Sequence, residues 1–316
     1  MNYLLIFAVA ATVTLLITPS IRYLALKFSI IDRKKTAKDH NRIVTRFGGI
    51  AIYIGFMFAM LTAFITEFSL FRSDFIPFAI IILVASLILI LGICDDAKGV
   101  SPRLKFAIQI LAALILIKSG FIVRMVSNPF GGPIKLGIFA VPFTMLWLVG
   151  ITNAINLIDG LDGLAAGIVL ISSLGLFFIF LVSAMIIPAF FAMALAGSCL
   201  GFLRNNFPPA KVFMGDTGSL FLGFSLASLA TLTSHKATAS IALLVPIIGL
   251  GLPILDTSLS FFRRLVKKTS PFKRDKLHIH HLLLKRRNLT EKQLVLILWS
   301  ITLFLNIFAC SLFLLR

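Results

Sequence analysis

Residues 153–167 read NAINLIDGLDGLAAG, and they stand between VPFTMLWLVGIT (141–152) and IVLISSLGLFFIF (168–180). Two asparagines and two aspartates, each three positions from the next, interrupt a sequence that is otherwise apolar. In a soluble domain such a run would be a loop between core elements. Composition argues against that reading: 59% of the 316 residues are hydrophobic, 13% are charged, and the mean hydropathy is +1.03. Soluble chains carry about 25% charged residues. The flanking runs therefore read as membrane spans, and the polar stretch as the place where the chain turns at a membrane surface.

A span takes roughly 20 apolar residues. Working outward from spans at 139–158 and 164–184, others are expected over 3–26, 47–66, 75–94, 103–120, 186–203, 217–234, 239–260 and 293–315. The expected fold is an all-α polytopic membrane protein with ten transmembrane helices, forming a single domain over residues 1–316. AVA at 8–10 imitates a secretory cleavage site, but no basic residue precedes the first apolar run, so it reads as a retained span. FIVRMVSNPFGGPIKLGI (121–138) carries Asn-Pro and Gly-Gly-Pro and is expected to form a short hairpin or interfacial segment, not a crossing. Cys94, Cys199 and Cys310 lie far apart in or beside apolar runs and read as small buried hydrophobes.

The formal net charge is +18, from 30 basic and 12 acidic residues. Ten alternating spans put both termini on one side. Segments 20–46, 95–105, 204–211 and 262–292 then hold 24 of the lysines and arginines, and the opposite face holds Arg72, Lys118, Arg124, Lys135, Lys236 and Arg316. Basic loops stay cytoplasmic, so both termini are expected outside the cytoplasm. This asymmetry accounts for the charge without nucleic acid as a partner.

The acids are more informative. Glu67 and Asp74 fall in the first external loop, and the others map to the cytoplasmic face. Asp95, Asp96, Asp159, Asp162, Asp216 and Asp256 all lie at or next to helix ends there. Any one of them could be a cap, Asp216 as the N-cap of the 217–234 span and Asp256 as the end of 239–260. Four separate acidic sites on one face point instead to function, because acids at membrane depth are costly. Their position at one surface, with no repeat between the two halves, also disfavours a transporter, which places such groups near the midplane.

The three-residue spacing predicts that Asn153, Asn156, Asp159 and Asp162 share one helical face. Asparagine donates and accepts, whereas aspartate offers anionic oxygens. The set suits Mg²⁺, with Mn²⁺ as a substitute, held by carboxylates together with ligand phosphates. Asp95 and Asp96 are adjacent acids, an arrangement that asks for a cation or a proton-transfer role. Asp216, between Gly215 and Gly218, is a further acidic site. RRLVKKTSPFKRDKLHIHHLLLKRR (263–287) supplies Arg274, His278, His280 and His281, groups that suit a pyrophosphate or sugar. HIHH lacks the cysteine or HExxH partner that zinc would need. DRKKTAKDHNRIVTRFGG (32–49) suits anionic headgroups and substrate phosphate equally. No P-loop, GxGxxG, HExxH or GxSxG occurs. Metal, carboxylates and basic groups together describe phosphoryl transfer at a membrane surface.

Four blocks make this specific: GICDDAKGVSPRLKF (92–106), NAINLIDGLDGLAAG (153–167), NNFPPAKVFMGDTGSLFLG (205–223) and HIHH (278–281), with RFGGI (46–50) compatible. The chain resembles the polyprenyl-phosphate N-acetylhexosamine-1-phosphate transferases over about three fifths of its length. The resemblance implies transfer of a sugar 1-phosphate from a UDP-sugar to undecaprenyl or another polyprenyl phosphate with release of UMP, the first step of a cell-envelope polysaccharide. It also implies Mg²⁺ and a bacterial cytoplasmic membrane. By motif, Asp95 and Asp96 stand at the family's aspartate pair, one of which deprotonates the lipid phosphate. Asp216 stands at the metal-binding position, with Asp159 as a second metal candidate. Asn156, Asp159 and Asp162 match the nucleotide-sugar site, and Asn206 matches the asparagine before the MGD motif. Asn153, Lys211, Arg274, His278, His280 and His281 complete the expected substrate contacts. HIHH resembles the HxHH form of the N-acetylglucosamine branch, which favours UDP-GlcNAc; UDP-MurNAc-pentapeptide or another acetamido sugar is the alternative. Direct attack by the lipid phosphate and a covalent aspartyl intermediate both remain open, as does a homodimer.

Overall fold

A computed structural model describes residues 2–28, 30, 43–126, 132, 134–233, 247–248, 250–266 and 289–315. Arg274, His278, His280 and His281 lie outside the described residues. The described chain forms α1 (Tyr3–Lys27), α2 (Gly48–Thr66), α3 (Phe68–Lys98), α4 (Pro102–Lys118), β1 (Met125–Val126), β2 (Ile134–Lys135), α5 (Ala140–Ile158), α6 (Leu164–Val182), α7 (Ile186–Asn206), α8 (Gly215–Leu232), α9 (Gly251–Val266) and α10 (Glu291–Leu314).

Among the described residues, seven helices are long and apolar enough to cross a membrane: α1, α2, the Ile76–Lys98 part of α3, the Gly137–Ile158 run that contains α5, α6, α7 and α10. The chain is accordingly a multi-pass, all-α membrane protein. α4 and α9, at 17 and 16 residues, are shorter. α8 is long enough but rich in small polar residues, and its position in the fold explains this. Every residue from Thr217 to Leu232 is buried, because α2, α3, α5, α6 and α7 pack around it. A helix that meets protein on all sides has no need of a lipid-compatible surface, and small residues let neighbouring backbones approach. Several of its hydroxyls bind carbonyls of the same helix: Ser219 donates to the Gly215 carbonyl at 2.9 Å and Ser228 to that of Phe224 at 2.7 Å. Trp147 of α5 donates its indole N–H to the Ala227 carbonyl at 3.1 Å.

The approach of α3 to α8 is the contact that builds the site. Gly92 makes it possible, since a Cβ there would lie 2.5 Å from the Thr217 Cα. α3 stops at Gly99, a residue with φ +77°, and α4 restarts three residues later with Ser101 as N-cap and Pro102 at N1. The Ser101 side chain accepts from the Leu104 amide at 3.3 Å.

Residues 121–138 behave as expected where described: β1 and β2 pair antiparallel, Met125 opposite Lys135. Other expectations need correction. α9 begins at Gly251 and continues to Val266, so Asp256 sits buried inside a helix and does not end one. The N-cap of α8 is Met214, and Asp216 lies in the first turn. Cys94 is exposed, while Cys199 is buried as expected.

Candidate active site

The sequence starts α8 with Gly215-Asp216-Thr217 and ends α3 with Asp95-Asp96, and the fold brings these ends together with the first turn of α4. Lys105 Nζ, one turn into α4, donates to Asp216 Oδ2 at 2.6 Å and also to Asp95 Oδ2. The Asp95 Oδ1 accepts from the Val100 amide at 2.6 Å, which fixes the carboxylate over the α3–α4 turn. Asp96 points the other way. It accepts from the Asp216 amide at 3.1 Å, the Thr217 amide at 2.9 Å and the Thr217 hydroxyl at 2.7 Å. Arg46 Nη1 lies 3.8 Å from Asp96 Oδ1. Gly215 has φ +68°, and a Cβ at this position would overlap Asp96 Oδ2, so only glycine allows the carboxylate to reach the start of α8.

The first turn of α8 is also held from α2. The Phe213 amide donates to the Thr45 carbonyl at 2.8 Å, and Gly48 and Gly49 donate to the carbonyls of Phe213 and Met214 at 2.9 and 3.0 Å. RFGGI therefore docks its backbone on VFMG. Asp216 is presented from a rigid base.

The polar stretch 153–162 divides into parts with different surroundings. Asn156 donates to Ser219 Oγ at 2.8 Å and lies beside the Asp216 carboxylate, so it belongs to the acidic cluster. Asn153, one turn earlier, donates to Gln109 Oε1 at 2.6 Å and to the Val149 carbonyl at 2.7 Å, tying α5 to α4. The expected single helical face does not extend further. α5 ends at Ile158, half-buried Asp159 is its C-cap, and the chain turns through Gly160–Gly163 with Gly163 at φ +74°. The two glycines break the helical repeat on which the spacing argument relied.

Asp162 and Asn206 instead bind backbone. Asp162 Oδ2 accepts from the Ala210 amide at 2.9 Å, and its own amide donates to Glu291 Oε1 at 2.9 Å. Asn206 accepts from the Gly163 amide at 3.1 Å and donates to the Val212 carbonyl at 2.9 Å. Together they join the 159–163 turn, the 207–212 loop and the start of α10 into one rim. Lys211 is exposed on that rim.

Sequence reasoning missed Lys105, Thr217, Ser219, Arg46, Gln109 and Glu291. Lys105 had a readable signal: Ser101-Pro102 marks a helix start, and a lysine in the first turn after a tight connection returns to the end of the preceding helix. Glu291 had one too, as the first residue of a helix opened by the Thr290–Gln293 capping box.

Among the described residues, no group of three or more His, Cys, Asp or Glu side chains forms a metal site by itself. Two carboxylate oxygens, from Asp95 and Asp216, nevertheless converge on one cation, the Lys105 ammonium. An all-oxygen pair of this kind fits Mg²⁺, which takes one or two carboxylates and completes its shell with phosphate oxygens and water.

Comparison with known proteins shows the family. The model of glycosyl transferase family 4 matches residues 78–234, which include Asp95, Asp96, Lys105, Asn156 and Asp216. The chain is 39% identical over 304 residues to a probable undecaprenyl-phosphate N-acetylglucosaminyl 1-phosphate transferase of Bacillus subtilis, covering 96% of this chain and 83% of that protein. It is 34% identical over 317 residues to a decaprenyl-phosphate N-acetylglucosaminephosphotransferase of Mycolicibacterium smegmatis, covering 92% and 77%. It is 32% identical over 301 residues to an undecaprenyl-phosphate alpha-N-acetylglucosaminyl 1-phosphate transferase of Thermotoga maritima, covering 95% and 88%.

Proposed function

The chain belongs to the polyprenyl-phosphate hexosamine-1-phosphate transferase family, and on that footing we propose that it transfers N-acetylglucosamine 1-phosphate from UDP-GlcNAc to a polyprenyl phosphate such as undecaprenyl phosphate. The observation that carries this reading is the Asp95–Lys105–Asp216 cluster at the ends of three helices. A phosphoryl-transfer site must gather opposite charge around a pyrophosphate while remaining open to a lipid on one side.

In the proposed reaction an oxygen of the lipid phosphate attacks the β-phosphorus of UDP-GlcNAc. The bond from that phosphorus to the α–β bridging oxygen breaks, and UMP leaves with the electron pair. The products are polyprenyl diphosphate GlcNAc and UMP. Asp95 faces the ligand side and accepts the proton of a singly ionised lipid phosphate. Lys105 offsets the negative charge that gathers on the transferred group. Asn156, held by Ser219, orients phosphate oxygens beside Asp216. Asp216 would hold Mg²⁺ beside Asp95, and the metal would supply further neutralisation of the pyrophosphate. Asp159, Asn153 and Lys211, with Arg274, His278, His280 and His281, are proposed to surround the nucleotide and sugar. Asp162 and Asn206 shape the rim on which these groups act.

The purified full-length protein, given radiolabelled UDP-GlcNAc and undecaprenyl phosphate with Mg²⁺, is expected to form a labelled lipid. Excess unlabelled UDP-MurNAc-pentapeptide should leave that product unchanged. Strong competition would reassign the sugar, and no labelled lipid with any UDP-sugar would refute the transferase reading.

The topology belongs to the same proposal: ten spans in the cytoplasmic membrane of a bacterium, termini outside, and the acidic cluster at the cytoplasmic surface, a reading that the lysine and arginine asymmetry supports. In a cysteine-free background, Glu67→Cys should react with an impermeant maleimide in intact cells. Lys211→Cys should react only after permeabilisation. Reaction of Lys211→Cys in intact cells would reverse the orientation.

A further inference from the structure

Asp95 and Asp96 are neighbours in sequence with different surroundings in the fold. Consecutive helical residues point about 100° apart, so the two carboxylates meet different groups. Asp95 turns towards α4, and its side chain is 14% exposed; Asp96 turns towards α8, and its side chain is 1% exposed. A carboxylate has room for about four hydrogen bonds. Asp96 receives three from the first turn of α8, and Arg46 stands on the remaining side.

α8 needs such a partner. The first amides of a helix have no carbonyl within it to bind, and a side chain at the N-cap normally accepts from them. The N-cap of α8 is Met214, which makes no side-chain cap. Asp96 supplies the missing acceptor from another helix, and its negative charge is favoured there by the positive end of the helix dipole. The amides it holds belong to Asp216 and Thr217, so the carboxylate also sets where Asp216 points.

Resting on the transferase reading above, we propose that Asp96 is a positioning residue. It caps α8 and aims the Asp216 carboxylate at the shared cation position, and it does not meet either substrate. Asp95 is then the member of the pair that faces the ligands. The close approach of α3 at Gly92 and the absence of a Cβ at Gly215 serve this cap, since either side chain would push Asp96 away from α8.

The test is a Mn²⁺ titration followed by electron paramagnetic resonance on the detergent-solubilised full chain, with turnover measured in parallel. Asp96→Asn places an amide NH₂ against a backbone N–H and should weaken Mn²⁺ binding by about 10–100-fold, the usual range for residues that orient a metal ligand. Its KM for UDP-GlcNAc should rise together with the loss of kcat. Thr217→Val removes one donor to Asp96 without touching either carboxylate, and should shift Mn²⁺ affinity in the same direction by a smaller factor. Thr217→Ser keeps the donor and should restore the affinity. If Asp96→Asn does not fold, the threonine pair decides. Unchanged Mn²⁺ affinity in Asp96→Asn or in Thr217→Val overturns the proposal, as does a wild-type chain that binds no Mn²⁺. Loss of turnover in Asp96→Asn with Mn²⁺ binding intact would make Asp96 the proton acceptor instead. A wild-type chain that binds Mn²⁺ but forms no lipid product would refute the transferase reading and leave the cap standing.

Discussion

Lys105→Met is expected to lower kcat by about 10²–10³-fold, the range seen when one donor to a developing anion is removed. Two carboxylates from different helices, Asp95 and Asp216, share the Lys105 ammonium. Without it they face one another with no opposite charge between them, and each raises the cost of keeping the other ionised. The transferred phosphoryl group loses a positive partner in the same step. Divalent-cation affinity should move the other way. Two carboxylates without their lysine attract a metal more strongly, so Mn²⁺ should bind Lys105→Met more tightly than wild type even as turnover falls. Lys105→Arg should recover only part of the activity, because a planar guanidinium does not replace a point charge seated between two acids. Steady-state kinetics with UDP-GlcNAc and polyprenyl phosphate, alongside Mn²⁺ titration, checks both halves. Turnover within about twofold of wild type would remove Lys105 from the chemistry, since the loss of a needed donor is far larger.

Asp216→Asn is expected to lower kcat by about 10³-fold, since the several kcal/mol that a held metal contributes are lost at roughly 1.4 kcal/mol per decade. Here Mn²⁺ affinity should fall, the opposite of Lys105→Met. The substitution preserves shape, and the contact of Asp216 with Asp96 runs through its backbone amide, so the cap on α8 survives. Thermal unfolding should therefore stay close to wild type, which separates lost chemistry from lost fold. The contrast between the two variants is the informative result. If Lys105→Met and Asp216→Asn shift Mn²⁺ affinity in the same direction, the two groups do not share one cation position.

Much of this arrangement was readable in the residues alone. The apolar runs foretold α1, α2, α3, α5, α6, α7 and α10, because twenty-residue greasy stretches have few other uses. Asn-Pro and Gly-Gly-Pro in 121–138 marked the β1–β2 hairpin for the same kind of reason. The acids at helix ends led to Asp95, Asp96 and Asp216. The blocks around them led to the family to which the chain belongs.

The rest depended on contacts that no local pattern records. Asp95 and Asp96 are alike in sequence; only the packing of α3 on α8 at Gly92 makes one a cap and leaves the other facing Lys105. The regular spacing of Asn153, Asn156, Asp159 and Asp162 suggested one surface, but the helix ends at Ile158, and Asp162 serves the backbone of the 207–212 loop. Asn206 looked like a ligand contact and bridges Gly163 to Val212. Loop backbone buried at a membrane surface needs hydrogen-bond partners as much as a substrate does, and sequence alone does not say which of the two a polar residue serves. The 217–234 run was expected as one span among ten, and its serines and glycines record a helix enclosed by five neighbours.

The central claim is that the phosphate next to the sugar moves with it. UDP-GlcNAc carrying ³²P only at the β position, incubated with the purified protein, Mg²⁺ and undecaprenyl phosphate, tests this directly. The account predicts that the label enters the lipid fraction while unlabelled UMP is released in equal amount. Label that remains with the nucleotide as UDP while sugar reaches the lipid, or the absence of any lipid product, would contradict it.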